Sequence, residues 1–213
     1  MKTDDLIEML SIGPDVGLAR TPAGRNALLV LGALLLSAVV MAATLGLRPQ
    51  LAQAVVLPAF WLKVVFSVAL AAAGWLAARR LSAPGSRTGE LPLLVGAPVM
   101  LIWVAGAITL ADAAPELRVG LFWGSTWRYC AVLITLMSLP VFAATLSIVR
   151  QLAPTRLRLA GAAAGLASGG AAAVVYCLHC PEMSAAFVGF WYLLGILGPT
   201  AIGALIGPHV LAW

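Results

Sequence analysis

The stretch Asn26-Ala-Leu-Leu-Val-Leu-Gly-Ala-Leu-Leu-Leu-Ser-Ala-Val-Val-Met-Ala-Ala-Thr-Leu-Gly-Leu47 decides the class of this protein. It contains no charged residue, and it is long enough to cross the roughly 30 Å hydrocarbon core of a bilayer as one helix. Leu and Ala, which favour helices, fill it without the apolar–polar alternation of a membrane β-barrel strand. The stretch therefore predicts a transmembrane α-helix.

The same pattern recurs along the whole chain of 213 residues, of which 62% are hydrophobic and 10% charged. The mean hydropathy is +1.02, whereas a soluble domain is about half apolar and about a quarter charged. We therefore predict an all-α membrane protein, a bundle of six transmembrane helices in a single domain (residues 26–213) that follows a tail (residues 1–25). The predicted spans are Asn26–Leu47, Phe60–Ala78, Leu91–Ala111, Tyr129–Val149, Leu159–Leu178 and Ser184–Ile206.

The basic residues predict the orientation of the bundle, because Lys and Arg near span ends favour the cytoplasm. Nine of them lie in the tail and in the second and fourth loops, against three in the first and third loops. This asymmetry predicts that both termini are cytoplasmic. The net charge of +5 also suits contact with anionic membrane lipids. No basic cluster is interleaved with aromatic residues, so we expect no direct binding of nucleic acid.

The first ten residues predict a short amphipathic helix with an acidic first turn. One interpretation is a helix that lies on the membrane, but such helices usually carry Lys and Arg. The acidic character favours the other interpretation, a segment that folds on contact with a protein partner. The residues that would form this contact are Asp4, Asp5, Leu6, Ile7 and Leu10.

Two further features concern the helices themselves. Lys63 lies near the predicted outer end of the second span, where it either extends towards the interface or pairs with a buried partner such as Asp112 or Glu182. Small residues at four-residue spacing let helices approach closely, and they would pack the fifth span either within the chain or in a dimer, so the oligomeric state stays open. These residues are Gly161, Gly165 and Gly169.

The three cysteines are the candidates for chemistry. Cys130 begins the fourth span, and Cys177 and Cys180 follow the fifth, so all three are expected at the outer face, with Cys130 and Cys180 at a similar depth. Cys177, His179 and Glu182 are ligand types that would suit a soft or borderline divalent ion beside the thiols. A disulfide between two of the thiols, or inert buried cysteines, are the alternatives.

The combination of short motifs resembles the NrsF family of membrane anti-sigma factors, over nearly the whole chain. The stretches that carry the resemblance are Met1–Ile7, Leu45–Pro49, Pro58–Lys63, Gly124–Cys130, Ala153–Thr155 with Ala160–Gly161, Tyr176–Glu182, Phe190–Tyr192 and Trp213.

The resemblance implies a regulator, not an enzyme, in the bacterial inner membrane. Such a protein sequesters an extracytoplasmic-function sigma factor and releases it when cysteines at the outer face sense heavy metals or oxidants. Carried over to this sequence, the sensing residues are Cys130 and Cys180, and Cys177 is additional to the usual pair. No cofactor is required, although a divalent metal is one candidate ligand of the cysteine cluster.

Two other functions would also use thiols at the outer face. A membrane thiol oxidoreductase usually relays electrons through a second cysteine pair, which three cysteines do not provide. A metal transporter usually needs carboxylates inside its spans, and apart from Lys63 no charge lies well inside a predicted span. The sequence therefore favours the regulator over both.

Overall fold

The computed structural model describes residues 23–83 and 89–212, and the regular structure in these ranges is helical. We number the helices in chain order. They are α1 (Ala23–Thr44), α2 (Leu51–Ala54), α3 (Pro58–Leu81), α4 (Leu91–Asp112), α5 (Pro115–Trp123), α6 (Trp127–Met137), α7 (Leu139–Gln151), α8 (Leu157–Tyr176) and α9 (Ala185–Val210).

Six helical stretches in the described residues are long and apolar enough to cross a membrane, which confirms the predicted number of candidate spans. The fourth stretch joins α5, α6 and α7. When the start of α6 is compared with the predicted start of the fourth span, every observed helix end lies within four residues of its predicted position. The agreement arises because the apolar run itself determines where such a helix can begin and end. Large apolar side chains cover the outward faces, as expected for helices surrounded by lipid.

The predicted spans leave residues 112–128 as a loop, the third connection, and this prediction is wrong over most of its length. Residues Pro115–Trp123 form helix α5. Pro115 suits the first turn of a helix, since its missing amide hydrogen would have no helical acceptor, and Glu116 complements the positive helix start. Only residues 124–126 form turns, and they connect α5 directly to α6.

Two local irregularities divide the long helices. Pro140 has no amide hydrogen to continue the helical ladder, and α6 and α7 are separated at Ser138, just before it. Helix α9 contains a π-helical turn at Val188–Tyr192, a type of turn that often occurs near functional sites.

Helix α8 is the centre of the bundle. Its most apolar stretch is 78% buried, against 11% for α1 and for α4. A Cβ atom on Gly161 would overlap the carbonyl oxygen of Gly203, and one on Gly165 would overlap that of Pro199, so α8 and α9 are in backbone contact. On another face of α8, a Cβ on Gly170 would lie 2.5 Å from the Ala71 nitrogen of α3. The central helix therefore packs tightly against both α3 and α9.

The bundle has two chemically different ends. All three cysteines lie at the end where α8 finishes and α9 begins, which we call the thiol end. At the opposite end, which we call the arginine end, α3 and α7 finish and α8 begins. Its basic residues are Arg79, Arg80, Arg150, Arg156 and Arg158. Arg80 there forms an ion pair of 2.9 Å with Glu90.

Candidate functional site

Two cysteines that are fifty positions apart in the sequence meet at the thiol end. Cys130 lies in the first turn of α6, and Cys180 lies in the loop between α8 and α9. Both side chains are fully buried, both are free thiols, and they lie close enough to interact electrostatically. The structure therefore contains a shielded pair of free thiols, which we call the dithiol.

The loop that carries Cys180 is fixed by backbone contacts on both sides. The Cys180 amide donates to the Tyr176 carbonyl at 3.0 Å, so the loop begins as an extra turn of α8. The Arg48 amide donates to the Leu178 carbonyl at 3.1 Å. The Nδ1 of His179 lies 2.9 Å from the Gly46 carbonyl oxygen, where it acts as the donor. These bonds attach the loop to the segment after α1.

Glu182 attaches the same loop to the turn that precedes Cys130. Its Oε1 accepts hydrogen bonds from the Ser125 amide and from the Ser125 hydroxyl, both at 2.7 Å. At Gly124 the backbone has a φ of 59°, and a Cβ there would lie 2.7 Å from the Glu182 carboxyl carbon. Thr126 completes the contact, with its hydroxyl oxygen 3.9 Å from the Cys180 sulfur. Glu182 thus holds the two halves of the thiol pair together.

Lys63 approaches the thiols from α3. The side chain is fully buried, so it neither extends to the interface nor pairs with a carboxylate, the two alternatives considered from the sequence. Its Nζ donates to the Cys180 carbonyl at 2.9 Å and to the Glu182 carbonyl at 3.2 Å. The ring centroid of Phe60 lies 5.5 Å from the same ammonium group, within the range of a cation–π contact.

Aromatic side chains surround the dithiol. Tyr176, the last residue of α8, lies close enough to Cys130 to interact with its thiol. Tyr192 ends the π turn of α9, and its buried hydroxyl lies beside Cys180 without a hydrogen bond of ordinary geometry among the described residues. Three tryptophan rings cover this end, with centroids 4.8 to 5.4 Å apart. They belong to Trp123, Trp127 and Trp191.

The thiols outside the helical spans differ in acidity. The hydrogen bond from Cys130, followed by the Tyr192 hydroxyl and the Lys63 ammonium, lowers the pKa of the Cys180 thiol below its ordinary value, although burial acts in the opposite direction. At Cys177, burial dominates and raises the pKa to about 11. Of these two thiols, Cys180 is the one that carries reactive thiolate near neutral pH.

The other ligand candidates from the sequence are used differently in the structure. Cys177 is buried beneath the pair, while His179 and Glu182 bind the Gly46 carbonyl and Ser125. Among residues 23–83 and 89–212, no group of three or more His, Cys, Asp or Glu side chains is arranged to hold a metal ion. A metal site built from these three residues therefore stays a prediction without support from the described geometry.

The remaining site predictions lie elsewhere. Asp4, Asp5, Leu6, Ile7 and Leu10 are outside the described residues. The glycines of α8 lie against α9 within the chain. Sequence patterns carried little signal for the contacts of Lys63 and Tyr192 with the thiols. The only hint was a lone lysine inside an apolar span.

Comparison with known proteins identifies the family. Residues 16–213 match the family described as NrsF, negative regulator of sigma F. The chain belongs to the NrsF family. Over its full length it is 49% identical to a probable anti-sigma-F factor NrsF of Azospira oryzae, and the alignment covers all of both chains. It is 39% identical to the anti-sigma-F factor NrsF of Caulobacter vibrioides, again over all of both chains.

No solved structure matches the chain. The family description is that of a regulator, which agrees with the expectation that the protein is not an enzyme.

Proposed function

We propose that this protein is an anti-sigma factor of the bacterial inner membrane. In this proposal it sequesters an extracytoplasmic-function sigma factor and releases it when heavy-metal or oxidative stress acts on Cys130 and Cys180. The observation that carries the proposal is the buried dithiol, whose two thiols come from α6 and from the α8–α9 loop. The NrsF relatives, which are named anti-sigma-F factors, support the choice of partner.

The orientation follows from the two ends of the bundle. The arginine end would face the cytoplasm, because basic residues near span ends favour that side. The thiol end would then face outward, towards the stress. The tail (residues 1–25), with its acidic residues, would bind the basic sigma factor, and the loops at the arginine end would add contacts.

Burial of the thiols accounts for how such a switch stays off. A thiol pair at the outer face of a bacterial inner membrane meets an oxidising environment. Because both sulfurs have no exposed surface, an oxidant reaches them only when the loop opens. The resting dithiol is thereby protected from the ordinary compartment and responds to a stronger challenge.

The route to the arginine end runs through α8 and α9. Both helices carry thiol-end contacts, and their backbones touch along the glycines of α8. A change at Cys180 would alter how the start of α9 lies on the end of α8, and tight contacts would transmit this shift. A coupling of about 3 kcal/mol would change the affinity for the sigma factor roughly 150-fold.

The test uses a reporter of sigma-dependent transcription in cells that carry the full-length protein and its sigma factor. The Cys130→Ser, Cys180→Ser double variant should stay repressed under hydrogen peroxide or cadmium salt. Cys177→Ser is the matched control, since it removes a buried thiol beside the pair. Release by the double variant would overturn the sensing role. Pull-down of the sigma factor should succeed with the full chain and fail after deletion of residues 1–20.

A further inference from the structure

Lys63 is a buried cation to which the proposed signalling scheme assigns no role. It lies five residues after the start of α3, about 8 Å along the helix axis, and has no exposed surface. Lysine is almost never fully buried unless its charge is compensated. Its Nζ donates to the carbonyls of Cys180 and Glu182, so it is in direct contact with the loop of the reactive pair.

The charge of Lys63 has no carboxylate partner among the described residues, where the one ion pair is Arg80–Glu90. The Glu182 carboxylate is bound to Ser125 instead. The acidic groups that face the ammonium are thiols, with Cys180 acting most strongly, and the facing cation is Arg48. A thiolate is thus the available anion for this buried cation.

We propose that Lys63 is a positioning residue of the thiol pair. It fixes the Cys180 segment through two carbonyls and stabilises negative charge on the Cys180 sulfur, so Cys180 reacts before Cys130. The Cys130 thiol, the electrostatic neighbour of Cys180, then has the second role. This inference rests on the proposed sensing function, and it assigns different tasks to two cysteines that the sensing scheme treats alike.

The chemistry can be written for a hydroperoxide as the oxidant. The Cys180 thiolate attacks the terminal peroxide oxygen, a sulfur–oxygen bond forms, and the oxygen–oxygen bond breaks, with an alkoxide or hydroxide ion as the leaving group. The product is a sulfenic acid on Cys180. The Cys130 thiol then attacks this sulfur, the disulfide forms and one water molecule leaves. The negative charge beside Lys63 is lost in the first step.

The test compares alkylation rates at the two cysteines. The purified full-length protein reacts with iodoacetamide at about pH 5, below the lowered pKa of the Cys180 thiol. In this reaction a sulfur–carbon bond forms and iodide leaves, and mass spectrometry measures the initial rate at each site. The ratio of the Cys180 rate to the Cys130 rate is the readout, because opening of the loop exposes both sulfurs. Lys63→Gln keeps an amide donor but removes the charge, whereas Lys63→Arg keeps the charge.

The matched control is Ser37→Ala. Ser37 is buried on α1, far along the chain from the thiols, and donates to the Met137 carbonyl at 2.9 Å. Its loss weakens helix packing without changing any charge. A merely structural effect would therefore raise both alkylation rates and leave their ratio unchanged.

The ratio should exceed one in the wild type and fall about threefold or more in Lys63→Gln. Loss of a nearby opposite charge raises the pKa of the thiol by about one unit, which at a pH below that pKa reduces the thiolate population about tenfold. The greater nucleophilicity of a more basic sulfur recovers about threefold. Lys63→Arg and Ser37→Ala should stay within about twofold of the wild type. An unchanged ratio in Lys63→Gln would overturn the inference.

A faster reaction of Cys130 than of Cys180 in the wild type would overturn it as well, even if the glutamine variant failed to fold. The outcome is separable from the proposed function, since alkylation is measured without a sigma factor. A ratio of alkylation rates as predicted, together with no release of the sigma factor under peroxide, would refute the sensing role and leave the assignment of Lys63 intact.

Discussion

Replacement of Gly165 by alanine should separate the two most tightly packed helices of the bundle. A Cβ at this position would lie 2.5 Å from the Pro199 carbonyl carbon and 2.7 Å from the Thr200 Cα, and it would overlap the Pro199 carbonyl oxygen. All three are backbone atoms, which no change of rotamer can move away. Ordinary van der Waals contact begins near 3.4 Å. Helices α8 and α9 must therefore move apart locally by about 1 Å.

The size of the effect follows from this displacement. A gap of about 0.5–1 Å removes a quarter to a half of the dispersion energy of each contact. Membrane helices depend on such contacts, because no hydrophobic force drives them together inside lipid. Overpacking of a well-packed core typically costs about 1–3 kcal/mol. We expect a loss of about 2 kcal/mol for Gly165→Ala, or a fall in Tm of about 4–8 °C.

The assay is thermal unfolding of the detergent-purified protein, followed by the fluorescence of its seven tryptophans. Gly32→Ala is the matched control, since Gly32 is an exposed residue of α1, and a Cβ added there would have nothing within 4 Å. It should keep the wild-type Tm within about 1 °C. If Gly165→Ala unfolded at the same temperature as Gly32→Ala, the backbone contact between α8 and α9 would be refuted.

Three further outcomes concern the thiol end. Cys130 is the chief cause of the lowered pKa of Cys180, so the Cys180 thiolate persists below the ordinary thiol value of about 8.5 and is lost as the pH falls through the lowered pKa. In Cys130→Ala the midpoint of the pH dependence of Cys180 alkylation should therefore move to higher pH. Glu182→Ala removes the carboxylate oxygen that accepts both hydrogen bonds of Ser125, and alkylation of Cys180 should become several-fold faster because the loop opens more often. Gly124→Ala should lower the Tm by several degrees, since its φ of 59° with ψ near −172° is accessible almost only to glycine, and an unchanged Tm would contradict that geometry.

The spans could be predicted because lipid imposes a simple requirement. A helix that crosses a membrane must be apolar over its whole length, so composition alone marks Leu91–Asp112 or Leu157–Tyr176. Helix α5 was not predicted in this way, because the charged residues Glu116 and Arg118 are typical of a loop unless the helix-start signals before them are considered. The packing partners of the glycines were equally hidden, because a small-residue pattern fits an internal contact and a dimer alike.

The candidate site was only partly visible in the sequence. The pairing of Cys130 with Cys180 followed from a family resemblance and from their expected depth. The partners of the pair come from distant parts of the chain, such as Lys63, whose acceptors lie more than a hundred residues away. Local patterns carry no information on contacts of this range, because they depend on how α3, α8 and α9 are packed.

The π turn at Val188–Tyr192 sets the rotational phase of α9. Before the turn, Ala186 lies against Gly106 of α4, and at the beginning of the turn the Trp103 indole of α4 donates to the Gly189 carbonyl at 2.9 Å. After it, Gly195 faces Ile134 of α6. One residue of a regular α-helix corresponds to a rotation of about 100°. The extra residue in this turn therefore lets one helix fit two differently oriented neighbours. It also means that the start of α9 can change its register against these neighbours only by whole residues.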